Sequence, residues 1–212
     1  MACALIVLLV FSGCSKKNEE QEALGYIESA RTFISQNKPE TAVIEYRNAI
    51  KLDPKNDVPY FELAETYILL RQLNQAIKYY NLAAKVNPQS IPSYLRLAQI
   101  HLQTGQLLDA REYISKVLEI SPVSINAYHL LSGIQIKERD LESAIETLNK
   151  AASIDNKNIK TYVSMAPLYI KTKSIDKAEN AYMMAITHDS SSRQAYMGLA
   201  KLYAFQKKMG QD

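Results

Sequence analysis

The chain has 212 residues, 47% of them apolar and 22% charged, with a formal net charge of +3 and only 6 Gly and 7 Pro. That balance fits a globular chain, not a disordered one, and is poor in the residues a turn-rich β fold needs. Lys and Arg form no basic stripe, which argues against nucleic acid as a partner, and the two cysteines, Cys3 and Cys14, suggest neither a disulfide framework nor a zinc spacing.

The first element is an uncharged apolar run, Met1 to Phe11. A membrane-spanning helix needs roughly twenty such residues. The run instead fits the apolar core of a secretory signal peptide over residues 1–13, with Ser12 and Gly13 as the small residues before a cleavage point. Phe11-Ser12-Gly13-Cys14 resembles the lipobox of bacterial lipoproteins. The resemblance implies that Cys14 is the lipid-attachment residue and that the bilayer is one partner. Residues 14–22, with "SKKNEEQE", then form a polar tether. Ser15, where an Asp would favour inner-membrane retention, implies the periplasmic face of the outer membrane. Phe11 stands where Leu is usual, and no basic residue precedes the run, which points to a start codon upstream. The alternative is a cytoplasmic adaptor in which Cys14 is a bystander.

From residue 23 the chain repeats. Ala42, Ala76, Ala110, Ala144 and Ala178 are 34 residues apart, as are Tyr26, Tyr60, Tyr94, Tyr128, Tyr162 and Tyr196. Pro54, Pro88 and Pro122 keep the same step. A period of this size predicts stacked helical hairpins. Tyr60, Leu63, Ala64 and Tyr67 lie at helical spacing and define one helix face; Ala76, Tyr80 and Ala83 define a second. The small Ala permits close approach of the two helices. Asn56, Ser90, Ser124, Asn158 and Ser192 are expected as N-caps before successive first helices.

The pattern resembles the tetratricopeptide repeat: Tyr at the fourth place, Leu-Ala at the seventh and eighth, Tyr at the eleventh, Ala at the twentieth, Tyr at the twenty-fourth, Ala at the twenty-seventh and Pro at the thirty-second. Repeats run 23–56, 57–90, 91–124, 125–158 and 159–192, with a partial sixth over 193–212. The resemblance implies an all-α fold, a right-handed α-solenoid of stacked helix-turn-helix hairpins. Several places depart from the pattern. His101 and Gln135 take the eleventh place, Ile114 and Val117 the twenty-fourth and twenty-seventh, and Asn156 and Ser190 the thirty-second. Pro167 falls inside the first helix of repeat five and is expected to kink it. The partial repeat has a first helix without its second, so Leu199, Tyr203 and Phe205 are expected to lack a full cover, as in a fragment, unless this helix itself caps the array or a partner covers it.

No catalytic constellation emerges. His101, His129 and His188 are far apart, no phosphate loop or nucleophile elbow is present, and Glu62 and Glu65 read as a solvated helix face. No cofactor, metal or small-molecule substrate is expected, and the chain is not expected to be an enzyme, unless it is part of a longer protein carrying a catalytic domain. The resemblance implies binding instead. In that family the first helices line a concave groove that takes protein or peptide segments. Its facing places here include Glu28, Arg31, Phe61, Glu62, Glu65, Leu69, Leu95, Arg96, Gln99, Leu102, Gln103, His129, Lys137, Lys160, Val163, Lys171, Met197, Lys201 and Phe205. Apolar residues run through this set. Its charge passes from Glu62 and Glu65 to Lys137, Lys160, Lys171 and Lys201, which suits a partner with a basic end and an acidic end. The chaperone-type Lys/Asn clamp for a terminal carboxylate is not reproduced. By resemblance, the envelope systems that use such lipoproteins are type IV pilus assembly and exosortase-associated exopolysaccharide export.

Overall fold

The computed structural model describes residues 2–209, with side chains from 18 to 207. The side chains of Phe11 to Cys14, on which the lipoprotein reading rests, lie outside the described residues, as does that of Cys3. Among the described residues there are eleven helices and no strand: α1 (Ala2–Ser35), α2 (Pro39–Leu52), α3 (Val58–Leu69), α4 (Leu73–Val86), α5 (Ile91–Thr104), α6 (Leu107–Ile120), α7 (Ile125–Lys137), α8 (Leu141–Ile154), α9 (Ile159–Lys171), α10 (Ile175–His188) and α11 (Arg193–Met209). They fall into two compact units, residues 1–97 and 98–212, with the division inside α5.

Each repeat is a pair of helices, and the same devices recur at the expected step. The five twentieth-place alanines, Ala42, Ala76, Ala110, Ala144 and Ala178, are fully buried, as are Ala30, Ala64, Ala98 and Ala166 on the facing helices. A side chain of one carbon on each helix is what lets the backbones approach. The turn between the helices is also repeated. Asn37, Arg71, Gly105, Arg139 and Lys173 all have positive φ, between 57° and 82°. The next residue's N–H closes back five residues in every case: Lys38 to Phe33, Gln72 to Tyr67, Gln106 to His101, Asp140 to Gln135 and Ser174 to Tyr169. This is a Schellman ending, which satisfies helix-end carbonyls and normally uses glycine at the left-handed residue.

The fourth-place tyrosines lock one repeat to the next. The hydroxyls of Tyr60, Tyr94 and Tyr128 donate to the carbonyls of Pro54, Pro88 and Pro122, and that of Tyr162 to Asn156. The replacement of Pro by Asn156 therefore costs the lock nothing, because the acceptor is a backbone oxygen.

Several expectations change. Of the predicted N-caps, Asn158 accepts from Thr161 N–H as foreseen. Ser124 occupies the cap position without a side-chain bond, and α3 is preceded by Asp57, not Asn56. Asn56 instead accepts from Val58 N–H in the turn. Leu199 does not lack cover: it is buried in a cluster with Leu148, Met165, Leu168, Tyr182 and Leu202, because α10 and α9 reach α11. Tyr203 and Phe205 are about half exposed. Pro167 lies inside helix α9, as the repeat register placed it, and the helix runs on to Lys171.

Candidate functional site

In the first unit the facing places of α1, α3 and α5 carry a polar network. The Glu62 carboxylate accepts from Arg31 Nη2 at 2.5 Å and Nε at 3.0 Å, and from the Tyr46 hydroxyl at 2.9 Å. Arg31 also holds Glu28 at 2.6 Å. One repeat on, Glu65 accepts from the Tyr80 hydroxyl at 2.5 Å and from Arg96 at 2.7 and 3.0 Å. The two arrangements have the same parts: a twenty-fourth-place tyrosine from a second helix, and a carboxylate–arginine pair at the sixth and ninth places of adjacent first helices. Burial, the neighbouring carboxylate and its hydrogen bond push both tyrosines above the ordinary phenol range. The hydrogen bond to Glu62 leads in raising the Arg31 guanidinium. These tyrosines are therefore fixed donors, not bases.

The expected acidic end is corrected by this geometry. Glu62 and Glu65 are not a solvated face; their side chains are 23% and 32% exposed, and each is matched by an arginine. What remains open is a hollow of about 180 Å³ lined by Arg31, Ile34, Tyr46, Glu62, Glu65, Thr66 and Leu69. Phe61 is half-buried with its ring 5.6 Å from that of Tyr80. Leu95, Gln99 and Leu102 lie half-buried along α5.

In the second unit the same places are filled differently. The sixth and ninth places are Leu130 and Gly133 on α7, Ser164 and Pro167 on α9, and Gly198 and Lys201 on α11. The twenty-fourth places are Ile114 and Leu148, both buried, and then Tyr182. Gly133 lies against Leu102, whose Cδ2 would be 3.1 Å from an added Cβ. Around Tyr182 a hollow of about 410 Å³ opens, lined by Val163, Pro167, Tyr182, Arg193, Gln194, Met197, Gly198 and Lys201. Val163 is buried in its wall, while Met197 is 52% exposed at its edge.

His129 is half-buried with Nε2 3.1 Å from the Thr161 hydroxyl. Burial first, and then the Lys160 ammonium, holds its pKa below the usual imidazole value. Lys137 and Lys171 are exposed in the last turns of α7 and α9, where a cation meets the negative end of the helix dipole. They do not join the hollow.

The structure thus brings Val163, Met197 and Lys201 to one hollow, and Glu62, Glu65 and Leu69 to another. It adds Tyr46, Tyr182, Pro167, Arg193, Gln194 and Gly198 as lining residues. The tyrosines sit on second helices, outside the set of facing places. Pro167 and Gly198 are at facing places but line the hollow by leaving space. Among the described residues no group of three His, Cys, Asp or Glu side chains could hold a metal ion, and no helix is long and apolar enough to cross a membrane.

The tetratricopeptide repeat matches residues 33–94, 71–134 and 125–158, together more than half of the chain. No curated protein matches at a significant level. Among solved structures, MamA from Desulfovibrio magneticus RS-1 (residue 41 to the end) is 18% identical, with a TM-score of 0.69 over 81% of this chain and 97% of that one. Pseudomonas aeruginosa PilF is 14% identical, with a TM-score of 0.73 over 90% and 88%. YrrB, described as a TPR protein with an unusual peptide-binding site, is 19% identical, with a TM-score of 0.64 over 88% and 96%. At these identities the likeness is one of fold.

Proposed function

The chain belongs to the tetratricopeptide-repeat family, and on that premise we propose that it is a non-catalytic scaffold that holds protein or peptide segments on the facing sides of its first helices. The observation that carries this reading is that these sides are hollowed in each unit and lined by apolar and charged side chains with no nucleophile–base pair among them. Such surfaces bind by burial, shape and charge steering. YrrB, which shares the fold, is described as having a peptide-binding site, and a peptide ligand is the corresponding reading here.

The scaffold works at the bacterial envelope, held by acylation of Cys14 at the periplasmic face of the outer membrane. Two or more acyl chains anchor a protein stably where one does so marginally. Its partners belong to an assembly or export system, either exosortase-associated exopolysaccharide export or pilus biogenesis. The support is the lipobox-like step at Phe11–Cys14 and the repeat array that follows it.

Site-specific photo-crosslinkers at Phe61 and Met197, compared with Lys85 and Lys150 on second helices, test the binding reading. Capture of a defined envelope protein from the first pair alone supports it; capture only from the second pair overturns it. Mass spectrometry of the mature protein tests the anchor: a diacylglyceryl mass on Cys14 is expected, and an intact Met1 would remove it.

A further inference from the structure

The hollow beside Tyr182 is the unit-one network with its carboxylate taken out. Gly198 is the counterpart of Glu62, and Pro167 that of Glu65, while Tyr182 is the counterpart of both Tyr46 and Tyr80. Tyr46 and Tyr80 each donate to one of those glutamates. Tyr182 is 5% exposed, lines the hollow, and its hydroxyl makes no hydrogen bond among the described residues. Repeats three and four lack the carboxylate too, but there the tyrosine is replaced by Ile114 and Leu148, so no donor is stranded. The hydroxyl oxygen is not shut off from the open hollow, so an acceptor entering there can receive its hydrogen bond.

The charge around the hollow has the matching sign. Arg193 and Lys201 line it, and Lys160 is exposed one turn before Val163. Among the described residues none of these three cations makes an ion pair. The nearby carboxylates are engaged elsewhere: Glu179 accepts from Tyr203, and Asp189 from Ser191. Pro167 contributes one more feature. It has no N–H, so the Val163 carbonyl in the same wall loses its usual helical donor.

We propose that this hollow receives an acidic side chain of a partner peptide, whose carboxylate takes the place Glu62 and Glu65 fill in the first unit. The carboxylate accepts from Tyr182 Oη and pairs with Lys201 and Arg193. The neighbouring apolar residue of the peptide packs on Val163, Pro167 and Met197, and the volume admits both. The ligand class is a peptide with Glu or Asp beside an aliphatic residue. The inference rests on the scaffold reading above and names the chemistry its second unit selects.

The test titrates the ¹⁵N-labelled full chain with two probes, Ac-Leu-Glu-Leu-NH2 and Ac-Leu-Gln-Leu-NH2. The Glu peptide is expected to shift the amides of Val163, Met197, Gly198 and Lys201, and to bind at least about tenfold more tightly than the Gln peptide, since charge-assisted bonds are the stronger ones. Its affinity should fall at least about fivefold in Tyr182→Phe and in Lys201→Gln, and fall with salt. Gly198→Glu displaces the Tyr182 ring and puts a side-chain carboxylate into the hollow, and should abolish binding; Lys201→Gln carries the test should that variant not fold. Equal binding of the two peptides, shifts confined to residues before 98, or no shift at millimolar peptide overturns the inference while leaving the scaffold reading to the crosslinking result. Self-association of the chain that Gly198→Glu abolishes would assign the hollow to a second copy and overturn it as well.

Discussion

The Tyr182 ring lies so close over Gly198 that a Cβ at that position would overlap the ring edge and the hydroxyl. Gly198→Ala therefore displaces the far end of the tyrosine. It also removes a helix-interior glycine, worth roughly 0.5–1 kcal/mol. The two effects oppose, and the net change in unfolding free energy is expected within about 1 kcal/mol of zero. Urea denaturation checks it; a loss above about 2 kcal/mol would mean the ring has nowhere to move.

Tyr80 and Tyr182 occupy the same place in their repeats but differ in partner. Tyr80→Phe strips a donor from Glu65 and should cost about 1–2 kcal/mol, as for hydrogen bonds to charged groups. Tyr182→Phe removes a hydroxyl with no partner among the described residues and should cost under about 0.5 kcal/mol or stabilise. Parallel urea melts decide it, and equal losses would show that Tyr182 has an acceptor.

The left-handed turn residues give a third comparison. Lys173 has φ of 59° where Gly105 has 82°. A non-glycine residue there pays about 1–2 kcal/mol in left-handed backbone. Lys173→Gly is expected to stabilise by about 0.5–1 kcal/mol, and Gly105→Ala to destabilise by about 1 kcal/mol. Thermal melts of the two variants should move in opposite directions.

His129 makes stability depend on pH. Its pKa is lowered in the folded chain by burial and by Lys160. The unfolded chain then binds the proton more readily, so the contribution is complete above about pH 6.5 and is lost as pH falls through that value. The urea midpoint should drop between about pH 7 and pH 5.5, and less so in His129→Gln. An identical drop in the variant would place the titrating group elsewhere.

Much of the fold was legible because helical repeats write their packing into spacing. Ala76 must be small and Tyr60 lies on the apolar face of its helix, and both features recur every 34 residues. The first-helix facing set came from the family resemblance and not from spacing. Tyr46, Tyr80 and Tyr182 were legible as core aromatics but not as donors into that face, because whether a second-helix hydroxyl finds a carboxylate depends on the neighbouring helix. Glu62 and Glu65 do not form an acidic patch because Arg31 and Arg96, each 31 residues from its partner, pair with them, a separation that no single-helix pattern shows.

The hairpin period, the all-helical class and the alanine and tyrosine seams follow from side-chain size and helical periodicity alone. Which charges remain available depends on how the helices are placed against one another. Ion pairs and stranded hydroxyls depend on distances between helices, and the absence of a side chain at Gly198 acquires meaning only when Tyr182 is seen above it.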